Sequence, residues 1–195
     1  MISRFSKILI LSVAAFAAFS SALHAANEAT TQSVQGTVEF AAPGSTTFAA
    51  LAKGQKLAIG STIRTGDKSE AIVVLVPGAA IRVGPKSQMV LEDMAYTKQG
   101  ETIPTRKAHI ELKSGTVSAL INSKDSTKDG KKKYTETDFV IKTPQGAAAA
   151  RGTFYAVTVE NGKTYVAVKE GKVGTRKTAP AAKAKATAKK PDEKI

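Results

Sequence analysis

Side chains able to do chemistry are scarce in this 195-residue chain, which holds two histidines, His24 and His109, and no cysteine. His24 falls in a segment that reads as removable, which leaves His109. A nucleophilic triad needs a histidine between a hydroxyl or thiol and a carboxylate, and a metal centre needs several ligands. One histidine on the wet side of an alternating strand serves neither, and it reads as a surface residue. Glu92-Asp93 is an adjacent acidic pair, but neighbours on a strand face opposite ways. A working carboxylate pair would have to come from distant strands, and no spacing points to one. Gly78 to Ser87, GAAIRVGPKS, has the look of a phosphate loop. A proline before the lysine and strand-forming residues between the glycines argue against it. There is no GxSxG, HExxH, CxxC or GxGxxG. The expectation is a protein that is not an enzyme and carries no cofactor or metal.

The residues that remain interesting are arginines. Ala147 to Tyr155 reads AAAARGTFY. Four alanines leave space where another strand packs closely, so Arg151 is expected to be at least partly buried. A buried guanidinium needs carboxylate or carbonyl partners, and Asp67, Asp138 and Glu170 are suited by their places next to turns or strand ends. Such an arginine would pin two layers in register. The competing reading has Arg151 facing a groove and receiving an anionic ligand. Arg64 and Arg82 raise the same structural-or-ligand question. Arg64 lies beside a turn, whereas Arg82 alternates with Ile81 and Val83 and should face solvent.

The elements that must hold these residues are short strands. Between Ser33 and Gly171 the apolar residues recur with period two or in short continuous runs, not with helical period. Strands are expected at Val34–Phe40, Ser61–Thr65, Ala71–Val76, Ala79–Val83, Met89–Leu91, His109–Leu112, Thr116–Ile121, Phe139–Lys142, Thr153–Val159 and Lys163–Lys169. Gly and Pro punctuate them roughly every 8–12 residues, as in an all-β domain. Asn161-Gly162 supplies the two positive φ angles of a type I′ hairpin. Pro77-Gly78 fits a type II turn. Ala71–Val76 is apolar on both faces and should be an inner strand. Ile110 and Leu112 alternate with His109, Glu111 and Lys113, so that strand should have one wet face. Gln99–Lys107 reads as a short loop. Asn122–Asp138 reads as a long polar surface loop centred on Lys131-Lys132-Lys133, with a binding lysine cluster as the alternative.

The two ends differ from this middle. Residues 1–26 read as a signal peptide: Arg4 and Lys7, an apolar run from Ile8 to Phe19, then small residues to Ala26. No later stretch reaches the roughly 18 apolar residues of a membrane span, so no transmembrane segment is expected after cleavage. The protein should be periplasmic or secreted. The net charge is +13, and from Lys172 onward there are eight Lys/Arg against two acids. Residues 176–195 read as a disordered Lys/Ala-rich tail, too poor in apolar residues to offset chain entropy. Lys183, Lys185, Lys189 and Lys190 suit an anionic polymer, or simply keep the end solvated. Export argues against a genomic nucleic acid partner.

Taken in order, the punctuated motifs resemble the FecR domain. The matching residues are Gly36–Val38, Leu51–Leu57, Ile59–Gly66, Ser69–Ala71, Pro77–Ser87, Leu112–Val117, Ile141–Pro144, Arg151–Phe154 and Val166–Val173. The resemblance implies one all-β domain, residues 32–175, of short Gly/Pro-punctuated strands in a β-sandwich or solenoid-like roll, with the disordered basic C-terminal tail after it. In membrane-anchored relatives the domain lies outside the inner membrane and relays a signal from an outer-membrane transducer to an intracellular sigma factor. This chain has no cytoplasmic anti-sigma segment and no internal span, so the sigma-regulator role does not carry over. The expectation is an exported, non-enzymatic binding or sensing module of the cell envelope that recognises a protein or an anionic polymer. The alternative is a structural or assembly scaffold whose basic tail is a spacer or polyanion hook. Fold alone names neither the partner nor the oligomeric state.

Overall fold

The computed structural model describes residues 28–123, 130 and 133–177. The expected signal peptide, the tail lysines Lys183, Lys185, Lys189 and Lys190, and Lys131 and Lys132 lie outside the described residues. Within them the regular elements are all β-strands. The chain runs through β1 (Glu28–Gln35), β2 (Val38–Ala41), β3 (Ala49–Ala50), β4 (Lys56–Ala58), β5 (Thr62–Thr65), β6 (Glu70–Val76), β7 (Ala79–Val83) and β8 (Gln88–Tyr96). It continues as β9 (Ile103–Ile121), β10 (Tyr134–Thr143), β11 (Gly146–Ala150), β12 (Phe154–Glu160), β13 (Lys163–Glu170) and β14 (Val173–Lys177).

These strands form one sheet that curls into two halves joined by β9. The first half has the order β4-β1-β6-β7-β9-β12-β13. The second has the order β3-β2-β5-β8-β9-β10-β11-β14. The early part of β9 pairs with β8 and β10, and its last part pairs with β7 and β12. Every pairing is antiparallel except β9 with β10. The sequence expectation of a sandwich or roll thus becomes a single strand-built sheet with two halves around a shared core.

The chain passes between halves at a repeated device. Gly66-Asp67-Lys68-Ser69 and Gly84-Pro85-Lys86-Ser87 share the pattern Gly-x-Lys-Ser, and both lysines have a φ of 51°. The buried Ser69 hydroxyl accepts the Thr37 N–H at 2.9 Å and donates to the Asp67 carbonyl at 2.9 Å. The buried Ser87 hydroxyl accepts the Thr116 N–H at 2.9 Å and donates to the Pro85 carbonyl at 3.1 Å. Each serine therefore ties one crossing to a Gly-Thr pair on another, Gly36-Thr37 or Gly115-Thr116. Thr65 adds a third stitch, donating through its hydroxyl to the Gly84 carbonyl at 2.6 Å. Both Gly-Thr glycines have positive φ, 74° and 83°, and a Cβ on either would collide with the serine it faces. What resembles a phosphate loop around Gly84-Pro85-Lys86-Ser87 is one of these corners.

Large apolar residues fill the space between the halves. Ile63, Ile81, Met89, Leu91, Ile110, Leu112, Phe139, Ile141 and Tyr155 are fully buried. Burying each such side chain is worth about 1.5–3 kcal/mol. Phe139 and Tyr155 meet edge to face with ring centroids 6.5 Å apart. The alanine run is β11, whose buried Ala148 and Ala150 lie opposite Ile141 and Phe139 of β10, small residues beside large ones. Burial pushes the Tyr155 hydroxyl well up, and that hydroxyl has no hydrogen-bond partner among the described residues.

Several expectations hold and several shift. Ala71–Val76 lies in β6, an inner strand between β1 and β7. The Asn161-Gly162 hairpin joins β12 to β13 with φ of 50° and 68°. Val34–Phe40 is not one strand, because at Gly36 the chain leaves the first half for the second. Gln99–Lys107 is not all loop, since β9 already begins at Ile103. The polar stretch ends early, because Tyr134 to Asp138 pair with β9 as part of β10.

Candidate functional site

Of the three arginines singled out from sequence, none is buried. Arg64 on β5 donates from Nε to Glu39 of β2 at 2.6 Å and lies over the Phe48 ring at 3.7 Å. Arg82 on β7 faces solvent, as its alternation required, and donates from Nε to Glu70 of β6 at 2.9 Å. Both are cross-strand ion pairs on wet faces, worth a fraction of a kcal/mol each.

Arg151 corrects the expectation of burial. The strand β11 ends at Ala150, and Arg151, the first residue of the link to β12, is exposed. The buried alanines lie beside Ile141 and Phe139 of β10 and not beside a buried arginine. Two of the carboxylates proposed as its partners pair elsewhere: Asp67 with Lys86 at 3.1 Å, and Asp138 with His109 at 2.8 Å.

The buried arginine is Arg106 on β9, 2% exposed. Its Nε donates to Thr137 Oγ1 at 2.8 Å and its Nη1 to the Pro77 carbonyl at 2.9 Å. Nη2 donates to the Asn122 carbonyl, and the guanidinium lies 3.8 Å from the centre of the Tyr134 ring. One planar cation thus ties the β6–β7 turn, the end of β9 and the start of β10 together. The sequence carried a signal for it. Counting back by twos from Leu112 through Ile110 and Ala108 reaches Arg106 on the same buried face. Reading Gln99–Lys107 as loop concealed that register.

The outer face of β8, β9 and β10 gathers the ionisable residues. A register shift between Leu91 and Asp93 lets both Leu91 and Met94 point inward. Glu92 and Asp93 are therefore both off the core side, contrary to simple alternation. Each meets a lysine: Glu92 with Lys142 at 2.8 Å and Asp93 with Lys107 at 2.5 Å. The Lys107 hydrogen bond and charge hold the Asp93 carboxyl below the usual carboxylate range, against a smaller opposing effect of burial. The same contact raises Lys107. Each acid is held by a lysine, which suits a solvated face and not proton transfer. His109 and Asp138 could be two members of a triad, but among the described residues no hydroxyl is hydrogen-bonded to His109. Nor, among them, do three His, Asp or Glu side chains gather as a metal site would require.

Beside this face lies an open cleft of about 610 Å³, lined by Asp138, Phe139, Ala150, Arg151 and Lys172 among others. It forms where β11 crosses to β12 and β13 crosses to β14. Gly152, Gly171 and Gly174 supply part of its wall, and glycine has no side chain to fill the gap. Arg151 and Lys172 are both exposed at this cleft. Two exposed cations next to glycine backbone can hold a carboxylate or phosphate. Lys133, the described member of the lysine cluster, sits apart, 5.8 Å from the Tyr134 ring centre.

No curated protein and no solved structure matches the chain. The family described as FecR protein matches residues 61–174, from just before β5 into β14. That span includes both Gly-x-Lys-Ser corners, the Gly115-Thr116 crossing and the Arg151 cleft. More than half of the sequence is matched, and with the strand-built fold around those corners it follows that the chain belongs to the FecR family, a regulatory and signalling family.

Proposed function

We propose that the protein is an exported, non-enzymatic binding or sensing module of the cell envelope, and that the cleft at Arg151 receives an anionic group of a protein or polymer partner. The observation that carries this reading is the pairing of exposed Arg151 with exposed Lys172 at an open, glycine-walled cleft. Family membership supports a sensing role. The basic tail would add attraction that depends on ionic strength.

Capture of partners from an envelope fraction tests the reading. The baits are the wild-type chain, the variant Arg151→Glu with Lys172→Glu, and a chain ending at Lys177, which keeps β14 whole. The expected result is a partner retained by wild type and by the shortened chain, and weakened at least about ten-fold, ~1.4 kcal/mol, by the double reversal. Both side chains are exposed, so an unchanged melting temperature should accompany the loss. Capture indifferent to the reversal would remove the cleft from the account. Capture lost with the tail or at moderate salt would place binding on residues 178–195.

A second reading, an assembly scaffold, is favoured by a separate feature, the exposed edge strand β13.

A further inference from the structure

A sheet with free edges invites further strands, and most proteins blunt those edges. Among the described residues the strand order ends on four edge strands, and three are blunted. Two are very short, β3 with two residues and β4 with three. The third, β14, carries Gly174, Arg176 and Lys177 in five residues. The fourth edge, β13, is eight residues long, reads KTYVAVKE, and pairs only with β12 among the described residues. It has no proline; its one register shift against β12 falls near its end, between Val168 and Glu170, where Lys169 has no β12 partner, and leaves Tyr165–Val168 regular. Among the described residues three large apolar side chains are exposed, and two of them are here, Tyr165 at 55% and Val168 at 46%.

The sequence of β13 fits itself. Its pairing with β12 sets Val166 and Val168 opposite the buried Val157 and Tyr155, on the core side. Tyr165 and Ala167 lie on the opposite face. A two-fold axis perpendicular to the sheet keeps each face on its own side, so a strand pairing with its own copy must set like faces opposite. Centring on Ala167 sets Ala167 against Ala167 and Val166 against Val168 within the regular part of the strand, and brings Tyr165 beside Lys169 and Thr164 beside Glu170 of the second copy, where the register shift lies. No like charges oppose, and Tyr165 gains a cation over its ring. Moving the centre to Val166 would set Lys163 against Lys169, a repulsive pair. Moving it to Val168 would set Val166 against Glu170.

From this register we propose that the chain forms a homodimer by antiparallel pairing of β13 with β13 about Ala167, continuing the first half of the sheet from one copy into the next. The occupant of the edge is a second copy of this chain. The inference is independent of the Arg151 cleft, and either can fail alone.

Sedimentation of the chain recovered from the periplasm of an expressing bacterium tests it. Wild type should be dimeric at high concentration, and Tyr165→Lys should weaken the dimer at least about ten-fold by opposing Lys169. Combining Tyr165→Lys with Lys169→Glu should restore it, because the two positions meet across the axis. The absence of native cysteine allows a second test that needs no charge change. Ala167→Cys should give a disulfide-linked dimer on mild oxidation, while Lys163→Cys should not, since Cys at position 163 would oppose Gly171. Four results would each overturn the proposal: a monomer up to about 1 mM, a dimer indifferent to Tyr165→Lys, no recovery in the double variant, or equal cross-linking at both cysteines. A monomer that instead takes up another protein's strand at β13 would also overturn it.

Discussion

Arg106 and Arg151 show how little residue type says about role until register is known. Both are arginines near alanine and threonine, yet one is a buried clamp and the other a solvent-facing cation. Arg106 continues the core-facing alternation of β9, and its guanidinium replaces water with two carbonyls, a hydroxyl and an aromatic face. Arg106→Met would keep the volume and strip the Pro77 and Asn122 carbonyls of a partner. Hydrogen bonds from a charged donor are worth about 1.5–3 kcal/mol, so urea unfolding should show a loss of that order or somewhat more. Capture of partners by the surviving folded fraction should be unchanged, because Arg106 does not line the Arg151 cleft. The alternation was legible in the sequence. What hid the clamp was the segment before it, where Pro104 and polar neighbours look like loop although the backbone already pairs with β10 from Ile103.

At the scale of elements, the same glycines serve two purposes that sequence does not separate. Asn-Gly between alternating runs could only be a tight hairpin, and β12–β13 is one. Gly36, Gly66, Gly84 and Gly115 instead mark passages from one half of the sheet to the other. A hairpin and a crossing both need local bends; the difference lies in which distant strand comes next. The serines do carry a trace, since both follow Gly-x-Lys and both end buried, each hydroxyl bonded once within its own corner and to a threonine of another crossing, Thr37 for Ser69 and Thr116 for Ser87. Gly115→Ala tests their tightness. A Cβ there would sit 2.7 Å from the Lys86 carbonyl oxygen and 2.5 Å from Ser87 Cα, with φ at 83°. Backbone is in the way, so relief requires moving the corner itself, and a loss above about 2 kcal/mol is expected in thermal or urea unfolding. A milder effect would mean that the corner yields.

For the whole molecule, the all-β class was plain from period-two patterning, and the inner place of β6 from its two apolar faces. The division into halves was not, because adjacent strands of the sheet come from far apart in the chain; β9 alone touches β7, β8, β10 and β12. Pattern fixes which face of a strand is buried and says nothing of its neighbour. Because β9 serves both halves, neither has a complete set of pairings without it. Calorimetry should show one cooperative transition whose van't Hoff and calorimetric enthalpies agree. Amide exchange should be slowest near the buried centre of β9, around Ile110 and Leu112. Two separate transitions would contradict a shared strand.

That arrangement also governs the order of events while the chain is being made. As residues appear from the amino end, β7 and β8 are finished while the strand both must pair with is still to come. Until Ile121 has emerged, two apolar strands present open ladders, and further growth is needed before β10 and β12 cover the other side of β9. Closure is therefore late and depends on contacts remote in sequence, a topology that favours slow folding and a long exposure to wrong partners. A nascent chain of this kind gains from being kept extended until its middle has arrived.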